Sequence, residues 1–146
     1  MNLEILSLKG NFICQRSIIP ENYASQEDPR MYITLFVTVP DEQTGKTIAR
    51  ALLRERLVAC ANIVSNIFSM YWWEDEIQEE PECLMIMKTK IGLFKELEKK
   101  VKQLHPYDVP EIISIPIVKG HTPYLDWLST QTRPTREDMD YNGVQF

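Results

Sequence analysis

The side chains able to do chemistry are few and widely spaced. The chain has two histidines, His105 and His121, and three cysteines, Cys14, Cys60 and Cys83. A neutral imidazole binds copper, zinc and similar metals, a thiolate is a soft ligand, and a carboxylate supplies hard oxygen. His105 and Glu111 lie on one short segment, His105-Pro106-Tyr107 to Pro110-Glu111, so both can approach one point. Each also has a plainer role. His105 follows a helical stripe and can contact the last carbonyls of that helix. Glu111 can form half of an ion pair with a residue such as Lys88. Cys60 is a soft ligand if its thiolate is exposed. Flanked by Ala59 and Ala61, it reads more readily as a small buried hydrophobe. Cys83 with Met85 and Met87 allows a thioether-rich site, but core packing explains them better. Cys14 is given no role.

Catalytic signatures are absent. The sequence has no Gly-x-Ser-x-Gly elbow, no His-Glu-x-x-His helix and no glycine-rich loop before either long helix. Cys60 with His105 is the one conceivable dyad. A cysteine nucleophile needs exposure and a lowered pKa, which a site between two alanines does not suggest. No Cys-x-x-Cys pair occurs, and an odd cysteine count argues against a disulfide framework. The expectation is a non-enzymatic protein of a reducing compartment.

These residues must be positioned by a modest domain. The 146 residues suit one unit, and 44% hydrophobic with 25% charged residues is ordinary globular composition. Sixteen Lys and Arg against twenty-one Asp and Glu leave a net charge of -5, unlike the basic footprint of a nucleic-acid binder. No apolar run approaches the ~18–20 residues that span a bilayer. Three zones are expected: an N-terminal extension, 1–30, weakly structured or targeting; a domain, 31–132; and a polar C-terminal tail, 133–146. Residues 1–30 lack the basic start of a secretory signal, which favours a cytoplasmic protein and leaves organelle targeting open.

Within the domain, Tyr32 to Val39 is rich in β-branched and aromatic residues and reads as a buried strand. Asp41 can cap a helix carrying Ile48, Leu52 and Leu57, in which Gly45 is a weak spot. Ala59 to Trp73 and Ile77 to Thr89 form a long hairpin turning at Glu74-Asp75-Glu76. Pro81 marks an edge or bulge in the return strand. Leu93, Leu97, Val101 and Leu104 make the stripe of a second helix stopped by His105-Pro106. Ile112 to Val118 is a last strand, an edge by Pro116, and Thr122-Pro123 caps a terminal helix. The order β-α-β-β-α-β is ferredoxin-like, an α+β fold. The same order serves RNA-recognition domains, but the third strand, Glu82 to Thr89, has no aromatic for base stacking. An open sheet with a very long hairpin suggests that other subunits manage its edges.

Five stretches together resemble the CutA1 family of divalent-ion-tolerance proteins. They are Val58 to Ile63, Met70 to Glu74, Met87-Lys88-Thr89, His105 to Ile112 and Tyr124 to Trp127, in the family's order across roughly 31–132. The resemblance implies a tight homotrimer of ferredoxin-like subunits, built like P-II signalling proteins, that binds copper or another divalent cation. It implies a metal site of His105, Glu111 and Cys60, and it alone brings Cys60 near the other two. It also implies a cleft between subunits walled by Trp73, Lys88, Tyr107 and Trp127. An anionic metabolite held by Lys88 in that cleft is a rival expectation, and a structural trimer that anchors a partner protein is a third. Two departures stand out. Asp75 occupies a turn position where the family usually has Gly, and Val37 replaces a first-strand Cys that serves some members as a copper ligand.

Overall fold

The computed structural model describes residues 31–141. Residues 1–30, with Cys14, and the end of the tail lie outside the described residues.

Strand β1, Tyr32–Val39, alternates half-buried and buried residues along its length, with Ile33, Leu35, Val37 and Val39 facing the core. Pro40 breaks it. Helix α1, Glu42–Arg54, starts at Asp41, whose carboxylate accepts from the Thr44 amide at 2.7 Å. Gly45 sits where α1 meets the sheet. A Cβ there would stand 3.3 Å from side-chain atoms of both Ile63 and Val39. The glycine that weakens the helix locally thus permits its close approach to β1 and the next strand.

Strand β2, Cys60–Trp73, and β3, Glu76–Lys90, form the expected hairpin. Glu74 and Asp75, with φ of 50° and 63°, are the two central residues of its tip. That pattern is a type I′ turn, whose twist matches the strands. Asp75 therefore adopts this turn at a steric cost that glycine would avoid. A bulge between Val64 and Ile67, with Asn66 at φ 60°, shifts the register of β2. Beyond it, Pro81 pairs with Phe68 on the stretch of β3 that has outrun β1. Its missing N–H falls on an open edge.

After a 3-10 turn at Ile91–Leu93, helix α2, Phe94–Leu104, buries Leu97 and Val101. Strand β4, Ile113–Pro116, is shorter than the sequence suggests and pairs with β1. Helix α3, Thr122–Gln131, begins one residue before the expected start, with His121 as its cap and no side-chain bond to the cap position. Pro123 still falls in the first turn, where amides have no intrahelical acceptor.

The sheet order is β2-β3-β1-β4, all antiparallel. This is the ferredoxin-like α+β arrangement. Helices α1 and α2 cover one face over Leu35, Val37, Met85 and Met87, all fully buried. Cys83 is also buried there, so Cys83, Met85 and Met87 are packing residues. The tail adds a short helix α4, Arg136–Tyr141, held by Lys90 Nζ donating to Asp138 Oδ2 at 2.8 Å.

Candidate functional site

The site residues divide into two groups about the sheet face opposite α1 and α2. Cys60 is opposite Lys88 across β2 and β3, so their side chains share that face. Lys88 Nζ donates to Asn62 Oδ1 at 2.6 Å. Cys60 Sγ and the Tyr124 hydroxyl are 3.5 Å apart, and Tyr124 stacks at a tilt on Trp127 with ring centroids 5.3 Å apart. The Cys60 contact, with some burial, pushes the Tyr124 phenol up to about 12. Cys60, Lys88 and Trp127 thus belong to one corner. Cys60 is half-buried.

The second group gathers where the hairpin passes the loop after α2. His105 caps α2, but its ring turns away from that helix. The Nε2–H donates to the Thr38 carbonyl at 2.8 Å, and Nδ1 accepts from the Tyr107 amide at 3.1 Å. The ring is 7% exposed. Both nitrogens are therefore spent on tying the loop to the end of β1. The sequence reading of contact with the α2 carbonyls is corrected accordingly, since the bond goes to β1. Metal binding by His105 would cost one of these bonds.

That tether aims Tyr107 at the hairpin, where its hydroxyl donates to Glu82 Oε1 at 3.1 Å. Across the strand, the Tyr71 hydroxyl donates to Glu80 at 3.1 Å. Burial first, then the charge of Glu82 and the bond to it, drive the Tyr107 phenol far above its ordinary range. Tyr71 is raised by burial, by its bond to Glu80 and by the Glu80 and Glu82 charges. Both phenols are raised first by burial and then by neighbouring carboxylates.

A cleft of about 840 Å³ opens here, lined by residues that include Tyr71, Trp73, Glu80, Glu82, Tyr107, Asp108 and Glu111. Among the described residues, no Lys or Arg lines it. Of the expected cleft residues, Trp73 and Tyr107 meet here, while Lys88 and Trp127 are in the other corner. Of the expected ligands, Glu111 is at this cleft, His105 stands behind its loop, and Cys60 is apart. The Glu111–Lys88 ion pair does not form among the described residues. No three His, Cys, Asp or Glu side chains among them gather closely enough to hold a metal ion. Sequence reasoning missed Glu80, Glu82 and Tyr71. Their alternation on paired strands was legible, but the bulge that puts Tyr71 and Glu80 on one face was not.

The fold and this loop-against-hairpin cleft define a ferredoxin-like domain with a long hairpin arm. The model of the CutA1 divalent ion tolerance protein family matches residues 33–131, and the chain belongs to that family. It is 48% identical over 98 residues to the divalent-cation tolerance protein CutA of Thermus thermophilus, covering 67% of this chain and 95% of that one. Over 101 residues it is 46% identical to the chloroplastic CutA 1 of Oryza sativa, covering 69% of this chain and 57% of the relative. The chain thus spans little more than half the length of that plant protein. Among solved structures, CutA1 of Oryza sativa superposes with a TM-score of 0.70 at 45% identity, covering 72% of this chain and 96% of that one. The Thermus thermophilus protein gives 0.69 at 47%, covering 70% and 100%.

Proposed function

We propose that the protein is a self-assembling, non-enzymatic binder of copper or another divalent cation, acting in metal tolerance as a homotrimer. The observation that carries the assembly is the uncovered apolar surface of the arm. Phe68, Met70, Trp72 and Ile77 share one hairpin face and are 64%, 61%, 71% and 56% exposed. Val64 at one sheet edge and Ile113 and Ile115 at the other add exposed apolar side chains on the face opposite α1 and α2. Contiguous apolar surface of this kind marks an interface.

Family membership supports the cation. The ligand shell is then completed between subunits, with Glu111 as an exposed oxygen donor and Cys60 as a soft one. His105 holds the loop that presents Glu111. No helix among the described residues is long and apolar enough to cross a membrane. The reading assigns the protein to the cytoplasm. The chloroplastic plant relatives make residues 1–30 the segment to test for organelle targeting.

The first test is mass in solution. Light scattering should give three times the subunit mass, and Trp72→Asp should lower it to that of one subunit with the subunit still folded. A wild-type single subunit refutes the assembly. Copper titration in a calorimeter should give a saturable site near one ion per subunit, weakened at least tenfold by Glu111→Ala. An unchanged isotherm rejects Glu111 as a ligand, and heat equal to dilution rejects direct binding.

A further inference from the structure

We propose that the outer face of the α1–α2 layer is a docking surface for an anionic lipid bilayer, held at the headgroups by charge without insertion. The first observation is a segregation of charge. The chain carries a net charge of -5, and its hairpin from Phe68 to Glu82 has several acids and no Lys or Arg. The helical stretches 42–56 and 94–104 are the reverse, with eight Lys and Arg against four Glu. The second observation is that most acids of this layer are already committed. Glu42 accepts from Lys46 and Ser65, Glu55 pairs with Lys100, and Glu96 pairs with Arg133. Five exposed cations remain: Arg50, Arg54, Lys95, Lys99 and Lys102. None of them makes an ion pair or a side-chain hydrogen bond among the described residues. Half-buried Glu98 is the one acid of the layer left to oppose them there.

The third observation is placement. Arg50 and Arg54 are one turn apart on α1, opposite the buried Ile48 and Leu52. Lys95, Lys99 and Lys102 follow at i, i+4 and i+7 on α2, opposite the buried Leu97 and Val101. The helices lie side by side on the sheet, bridged by Glu55 and Lys100, so the two rows make one basic face about 15–20 Å long. It points away from the sheet face and the arm that the proposed assembly buries, and stays in solvent whether or not subunits associate. The composition of the face selects the partner. Helix α1 has no aromatic residue, and α2 has only the half-buried Phe94. A single-stranded nucleic acid would find no stacking platform, and a protein partner would find none of the aromatic anchors that dominate interface energies. An anionic bilayer needs neither, because its surface potential attracts each Lys and Arg that comes within a Debye length. The cytoplasmic leaflet is such a surface.

The test sediments the full-length protein, in its native assembly, with vesicles of phosphatidylserine mixed into phosphatidylcholine and with vesicles of phosphatidylcholine alone. The expected result is partition onto the anionic vesicles only, at low ionic strength, and its loss in ~1 M salt, where the Debye length falls to about 3 Å. Replacing Lys95 and Lys99 together by Gln should weaken the partition at least about tenfold, with circular dichroism and solution mass unchanged. The pair Arg50→Gln and Arg54→Gln, on the other helix, should do the same and keeps the test open if the first pair misfolds. Lys119→Gln, an exposed cation outside the layer, should leave the partition within twofold of wild type. No sedimentation with anionic vesicles would overturn the proposal. So would equal binding to phosphatidylcholine, or a partition that the layer variants leave unmoved. Duplex DNA and polyglutamate are run in competition. If either binds the same face and strips the protein from the vesicles at matched charge concentration, the face belongs to another polyanion and the lipid proposal fails. Copper binding and solution mass are measured separately, so failure here leaves the assembly and metal readings standing or falling alone.

Discussion

The two halves of strand β3 differ in what covers them. From Cys83 to Lys90 it lies between β1 and β2, with Met85 and Met87 sealed under the helices. From Glu76 to Glu82 it pairs with β2 alone, and Trp72 and Ile77 on that stretch of hairpin face outward. One half is stabilised by the burial of apolar surface within the chain. The other is an arm whose apolar face is left exposed by the described residues, and a bare two-stranded hairpin is marginal in water. In the assembly proposed above, stability and recognition are segregated along one strand. The candidate cleft sits at the seam, where the His105-tethered loop reaches the arm.

Substitutions should separate the halves sharply. Leu52 is fully buried under the sheet, and Leu52→Ala should cost about 2–5 kcal/mol of unfolding free energy in a urea titration. A loss below about 1 kcal/mol would mean that the helical layer is not the stabilising half. At the seam, His105→Ala removes two internal hydrogen bonds and strands the Thr38 carbonyl and Tyr107 amide. We expect a loss of about 1–3 kcal/mol and faster amide exchange at Tyr107, with unaltered exchange in β1 below Leu35. Full stability in that variant would return the imidazole to the pool of free ligands.

Smaller effects test the ends. Burial pushes the Asp138 carboxyl up, but bonds from Lys90 and from Thr135 outweigh it and hold the group below its ordinary value. A carboxyl lowered in the folded state contributes stability above its unfolded pKa of about 3.9 and loses it as pH falls through the lower folded value. Asp138→Asn should therefore cost about 1 kcal/mol at pH 7 and nothing once both forms are fully protonated in acid. An equal difference at both pH values would show that charge is not the cause. Smallest of all, Asp75→Gly should stabilise the hairpin by less than about 1 kcal/mol, because glycine adopts the observed φ of 63° without strain. A destabilised Asp75→Gly hairpin, seen by faster exchange at the Trp73 and Glu76 amides, would show that the Asp75 side chain holds the turn.

Much of this was legible from residue order. Period-two alternation in Tyr32 to Val39, the stripe Leu93 to Leu104 and the long apolar hairpin are local patterns, and each formed where its period placed it. Gly45 looked like a defect in isolation, and only the approach of Ile63 and Val39 explains it. The candidate site was read only in part. Trp73, Tyr107 and Glu111 were identified by type and came together, whereas His105 proved to be bonded at both nitrogens.

The sequence by itself determined the elements, their order and the family, because periodicity, breakers and short motifs act through neighbours along the chain. Only the tertiary structure decided which titratable groups meet. The bulge at Val64 to Ile67 swaps the faces of β2, and a loop tethered sixty-seven residues away sets Tyr107 on Glu82. Both depend on distances across the fold, and the electrostatic character of a cleft exists only once those distances are closed.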